Sequence, residues 1–170
     1  SSLWAGPLAG SFLADAGARV IKVEGRGRPD GARSGPAAFF DLLNAGKETI
    51  TIDFADRSDH ALLRRMVAAA DLVIEASRPR AMAALGLDPS AVVDASATSW
   101  LSITGHGRID DPDRIGFGDD AAVAGGLWID DPGGPMFVAD AIADPVAGLA
   151  AAAIAAELLV DERASAIEVP

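Results

Sequence analysis

Short runs rich in β-branched residues alternate along this chain with helical segments, and no other feature restricts the fold as much. Residues 19–24 (RVIKVE), 49–54 (TITIDF), 71–76 (DLVIEA) and 99–104 (SWLSIT) read as strands. In the first, Ile21 and Val23 share one face and Val20 and Lys22 the other. The third has the continuous apolar centre of a buried parallel strand. Between these runs lies a small-residue helix over 5–17, with Leu8, Phe12 and Leu13 apolar and Gly17 placed to end it. A loop over 25–36 and a short helix over 39–44 follow. An amphipathic helix over 56–70 gathers Leu62, Leu63, Met66 and Val67 on one face, and short helices cover 78–85 and 89–95. This order predicts an α/β fold: a Rossmann-like, mostly parallel sheet with helices on both faces. The 170 residues suit a single domain, 1–170, able to bury a sizeable core.

Near the end of the chain, VADAIADPVAGLAAAAIAAE places an acid and a proline ahead of an Ala-rich run. Pro is favoured at the first helical position and Asp one residue earlier, so Asp144-Pro145 reads as the cap of a helix running to about Leu159. Asp140 lacks a following Pro and is less well placed. The dipeptide alone leaves two roles open for Asp144: a simple cap, or a carboxylate held at a helix N-terminus and used as a nucleophile.

Parallel sheets bind ligands at the carboxyl ends of their strands, which here means the loops 24–36, 76–80 and 105–118. Arg26, Arg28, Arg33, Arg78, Arg80 and Arg108 fall in these loops, and Lys47 just precedes a strand. They are either solvated loop charges or a groove for phosphates. The net charge of −11 opposes non-specific binding to nucleic acid. There is no cysteine, hence no disulfide framework or thiolate chemistry. No apolar run reaches transmembrane length and nothing resembles a signal peptide, so a cytoplasmic protein is expected. GRGRPDG does not match a dinucleotide fingerprint. His60 and His106 lie far apart without partners at ligand spacing, so no metal site is expected. Trp100 and Trp128 read as core aromatics, and residues 128–137 as a loop.

Several segments together resemble the family III CoA-transferases, the group that contains formyl-CoA and carnitine CoA-transferases and the 2-methylacyl-CoA racemases. LADAGARVIKVE resembles the family's early helix–strand segment, and LNAGKETITIDF its N-x-G-K strand with Ile52 in place of a Leu. ADLVIEASRPRAMAALGLD resembles the A-D-V segment ending in R-P-G, with Arg80 replacing the last Gly. WLSITGHGR resembles the strand ending in S-x-x-G-x-G, GFGDDAAVAGGL the G-F-D helix, and IADPVAG the D-x-x-x-G motif. The matches occur in order and cover nearly the whole chain.

The resemblance implies an acyl-CoA:carboxylate CoA-transferase. Asp144 matches the carboxylate that attacks the thioester, giving an aspartyl anhydride and then an aspartyl-CoA thioester. No tightly bound cofactor is implied; the CoA thioester is a substrate, together with a small carboxylic acid. The CoA-binding positions it implies are Arg26, Ile52, Ala76, Ser77, Arg78, Phe117 and Gly148. The adenine end lies against the strand ends at Ile52 and Ala76–Ser77, beside Arg78, and Arg26 neighbours a phosphate-pairing position. Gly148 lets substrate or another backbone come close. Phe117 stands where the racemases carry an acid–base His; a racemase needs a proton acceptor on each face of the α-carbon, and Phe cannot serve. Gly118 stands where the family usually has Asp.

The same resemblance implies a chain lacking the family's first strand and its C-terminal half, with 166–170 (AIEVP) as the strand closing the first half. It also implies a homodimer of interlocked chains, bound to neither nucleic acid nor membrane. A racemase-like enzyme and a non-catalytic CoA-binding subunit or fragment are the alternatives.

Overall fold

The computed structural model describes residues 1–108, 114–161 and 163–170. Helix α1 (Ala5–Asp15) leads into strand β1 (Ile21–Gly25), a 3₁₀ turn over Gly31–Ser34, and α2 (Ala37–Asn44). Strand β2 (Glu48–Ile52), α3 (Arg57–Ala68), β3 (Leu72–Glu75), α4 (Pro79–Ala84), α5 (Pro89–Ala95) and β4 (Ser99–Ile103) follow. The remainder is α6 (Gly118–Ala124), β5 (Trp128–Asp131), β6 (Gly134–Phe137), α7 (Ala143–Val160) and β7 (Ala166–Val169). The fold is mixed α/β, with parallel sheets flanked by helices. Its parallel strands form two hydrogen-bonded groups rather than one continuous ladder: β1 with β2, and β3–β4–β7.

Strand β4 is central and buried along its whole length. It pairs parallel with β3 (Leu72↔Ser99) and with β7 (Trp100↔Ala166). Alternation along β4 divides the core into two layers. Leu101 and Ile103 join Ala5, Ala9, Leu13, Ala151, Ala155 and Val169 on the α1/α7 side. Trp100 joins Ile52, Leu63, Val67, Leu85 and Leu87 on the other. Only Leu63 and Val67 of the expected α3 face are fully buried, while Leu62 is 42% exposed.

Helices α1 and α7 pack through small residues. Phe12 is exposed, and the buried face of α1 is Leu13 with Ala5, Ala9 and their small neighbours. A Cβ on Gly148 would lie 2.7 Å from the Ala5 carbonyl oxygen, so glycine here lets two backbones touch. By length and composition α7 could cross a membrane, with mean hydropathy 1.6, against the expectation that no run is long enough. Its Gly148, Ala151, Ala152, Ala155 and Leu158 are buried among protein, 28% of the helix, while Val146, Leu149, Leu159 and Val160 are exposed.

The structure also decides which face of β1 is buried, a point left open by the sequence, and corrects two further expectations. On β1 the more buried face is the charged one: Lys22 and Glu24 are buried while Ile21 and Val23 are only partly so. Each charge has an opposite partner there, Asp30 and Arg33 respectively, and pairing makes burial tolerable. Residues 128–137 form an antiparallel hairpin, with Trp128 opposite Phe137. Trp128 is therefore an exposed hairpin residue at 47%, whereas Trp100 is core at 1%. Helix α7 begins before Asp144, with Ile142 at its N-cap position and no side-chain cap. Asp144 is thus inside the first turn rather than capping it. Pro145 is tolerated there because the first turn's N–H groups have no helical acceptor.

Candidate active site

The carboxyl ends of β1, β3 and β4 open onto one cleft of about 1100 Å³. Its walls carry Arg28 from the loop after β1, Ala76–Arg78 after β3, Thr104–Gly107 after β4, and Arg114–Gly118 leading into α6. Asp144 closes it from α7. Two glycines bring the last loops together: a Cβ on Gly105 would sit 2.9 Å from Gly116 Cα. Part of the expected 105–118 loop, residues 109–113, lies outside the described residues.

Asp144 is half-buried, and its position depends on close contact with α6. The Gly118 backbone N–H lies close enough to the Asp144 carboxylate to favour the charged form. A Cβ on Gly118 would lie 2.5 Å from Asp144 Oδ2 and 2.5 Å from the Ala141 carbonyl oxygen. A side chain at 118 does not fit this arrangement, which explains Gly there. The Asp144 N–H donates to the Ala141 carbonyl at 2.9 Å, and the Ala141 N–H donates to Asp119 Oδ1 at 2.9 Å. Burial pushes the Asp144 carboxyl above the usual carboxylate range, and the nearby Asp119 charge pushes the same way; the Gly118 N–H opposes them. A more basic carboxylate is a stronger nucleophile.

Of the other expected positions, Ala76, Ser77, Arg78 and Phe117 line the cleft with Asp144. Ile52 is core at 1% exposure, and its carbonyl accepts the Arg26 N–H at 2.7 Å. The Arg26 side chain is exposed outside the cleft lining, and Gly148 faces α1. The loop cations divide by partner. Arg33 grips Glu24 at 2.8 Å and stacks 4.1 Å over Phe40. Arg108 is paired with Glu75. Lys47 donates to the Pro7 and Leu43 carbonyls at 2.5 Å each. These three clamp the fold, whereas Arg28 and Arg78 face the cleft. Sequence reasoning missed Arg114 in the cleft wall and Asp119 beside Asp144. No local signal marks Asp119, and nothing in the sequence pairs it with Ala141. Among the described residues no cluster of three or more His, Asp or Glu could hold a metal ion.

The chain matches the family described as CoA-transferase family III over residues 1–166. It is 39% identical over 118 residues to a succinate–glutarate CoA-transferase of Agrobacterium fabrum, a match covering 61% of this chain and 30% of that protein. It is 32% identical to the human succinyl-CoA:glutarate CoA-transferase, over 85% of this chain and 36% of the relative. The crystal structure of a hypothetical protein from Mycobacterium tuberculosis superposes with a TM-score of 0.89 at 31% identity. That match covers 99% of this chain and 51% of the other. The chain therefore spans about half the length of that structure, and its matches to the two curated relatives span about a third of theirs.

Proposed function

The chain belongs to CoA-transferase family III, and we propose that it carries the nucleophile and part of the CoA site of an acyl-CoA:carboxylate CoA-transferase. The observation that carries this reading is Asp144: a half-buried carboxylate of raised basicity in the wall of the cleft formed at the strand ends. The substrates are an acyl-CoA and a small carboxylic acid, with no tightly bound cofactor.

The chemistry runs in balanced steps. An Asp144 oxygen attacks the thioester carbonyl and the C–S bond breaks, releasing CoA thiolate and leaving an aspartyl–acyl anhydride. The thiolate attacks the aspartyl carbonyl, expelling the donor carboxylate and leaving an aspartyl-CoA thioester. The acceptor carboxylate then attacks that thioester, breaking its C–S bond to release CoA thiolate and form a second anhydride, and attack of that thiolate on the acceptor's acyl carbonyl expels the Asp144 carboxylate and gives the new acyl-CoA. The carboxylate needs no prior deprotonation at neutral pH. Arg28 and Arg78 offer cations to the CoA phosphates, and Ala76 and Ser77 present backbone to the adenine end. Phe117 gives the cleft an apolar wall and no proton-transfer group, which disfavours racemisation.

The same reading makes the protein a cytoplasmic homodimer of interlocked chains, on the strength of the family resemblance, bound to neither nucleic acid nor membrane. Its net charge of −11 supports the exclusion of nucleic acid. The test is intact mass after incubation with acyl-CoAs and hydroxylamine, which converts an activated aspartyl carbonyl into a hydroxamate. A mass shift lost in Asp144→Ala is the expected result. CoA binding without any shift would overturn the transferase reading in favour of a non-catalytic CoA binder.

A further inference from the structure

We propose that Asp119 is a positioning residue for Asp144, fixing the backbone that enters α7 so that the Asp144 carboxylate stays on the cleft. The proposal rests on the transferase reading above. The segment ahead of α7 is unusual: Ala139 and Ala141 have φ of 59° and 46°, left-handed values that a Cβ disfavours. Such residues persist only where their surroundings hold them.

The hold on Ala141 is specific. Asp119 Oδ1, 22 residues away in sequence, takes its N–H, and its carbonyl takes the Asp144 N–H. Asp119 thus acts on Asp144 through one residue. No side chain caps α7, so this contact stands where a cap would. Asp119 is not needed to cap its own helix: Asp120 Oδ2 takes the Phe117 N–H at 3.0 Å. Gly118 leaves the space between the two helices free of a side chain. An Asn at 119 would offer Ala141 the same acceptor without placing a like charge near Asp144.

The experiment compares Asp119→Ala and Asp119→Asn in the intact protein. It follows kcat, the KM for acyl-CoA and hydroxamate trapping at Asp144, with thermal melting as a check on folding. Asp119→Ala is expected to lower kcat and trapping by roughly 10- to 100-fold while the KM for acyl-CoA stays within about threefold. Asp119→Asn, which keeps the acceptor, is expected to recover most of that loss. Where Asp119→Ala does not fold, it is combined with Ala141→Gly, which removes the Cβ penalty; the kcat loss is expected to persist because the N–H is still unheld. Wild-type kcat in a folded Asp119→Ala or in the double variant would overturn the proposal. So would a rise in KM with kcat unchanged, or a loss that Asp119→Asn fails to relieve. No adduct at Asp144 in the wild type would overturn the transferase reading and this proposal with it. An adduct whose formation ignores Asp119 overturns this proposal alone.

Discussion

At the β1–β2 edge Lys22 meets Asp30 at 2.6 Å and Arg33 meets Glu24 at 2.8 Å, while at the α6–α7 corner the Asp144 carboxylate lies near a second carboxylate, Asp119, with the Gly118 N–H nearby as its one favourable group. Both regions take charge out of water, and they deal with it in opposite ways. At the edge, burial pushes the Asp30 carboxyl up. Lys22 and the N–H groups of Ala32 and Leu3 more than offset this, so it titrates below the usual range. Hydrogen bonding to Arg33 likewise holds Glu24 low. At the corner, burial and a like charge act together and Asp144 titrates high. Satisfied charges hold a fold together; an under-satisfied one in a cleft is available for chemistry.

The largest effect should come from Asp144→Asn. CoA transfer is expected to fall by at least about 10³-fold, read by thioester exchange, with denaturant stability unchanged or slightly raised because a disfavoured charge is gone. Unfolding the variant more easily than wild type would mean that Asp144 is structural. The reverse outcome is expected of Lys22→Met. Removing one partner of a buried pair whose side chains are 5% and 0% exposed strands Asp30, at a cost of about 3–5 kcal/mol in urea unfolding.

Gly118→Ala probes the corner by shape. A Cβ 2.5 Å from both Asp144 Oδ2 and the Ala141 oxygen must push something aside, costing about 1–3 kcal/mol of stability. Displacing the Asp144 carboxylate is expected to slow hydroxamate trapping by up to roughly 100-fold. An alanine variant with wild-type trapping would show that Asp144 does not depend on this contact.

Titration separates the regions by sign, with the smallest effects. The lowered carboxyls of Asp30 and Glu24 stabilise the fold above their unfolded pKa, near 4, and that stability is lost as pH falls through their folded values. The raised Asp144 carboxyl works the other way: its contribution is greatest below the unfolded pKa and is lost as pH rises through the folded one. Asp144→Asn should therefore steepen the loss of stability in acid. Lys47 adds a mark on the alkaline side. Burial lowers its ammonium to about 8, so folding gains stability as pH rises from about 8 towards the unfolded value near 10.4. Lys47→Met should abolish that rise in unfolding titrations, and an unchanged slope would refute the assignment.

Local pattern was enough to find strands 49–54 and 71–76, the helix after Asp56 and the Ala-rich run behind Asp144, because period and capping residues are properties of neighbours in sequence. Motif order was enough to point to Asp144 and to the Ala76–Arg78 bend. The same reasoning misplaced the start of α7. The turn that opens it is held by Asp119 from another helix, and a distant acceptor leaves no trace in local sequence. It also left the arginines as one undivided group. Which of them are spent on Glu24 and Glu75, and which face the cleft, depends on where β1 and β3 bring their acids.

The sequence by itself therefore determined the α/β class and most of the helices and parallel strands, which rest on short-range periodicity, while residues in fixed order only pointed to Asp144 as the candidate nucleophile. Only the tertiary structure decided that β1 buries its charged face, that Trp128 lies exposed on a hairpin while Trp100 fills the core, and that Asp144 is raised in basicity by burial and Asp119. Each of these depends on the sum of solvation and Coulomb energy over groups far apart in the chain, and that sum exists only once the chain has folded.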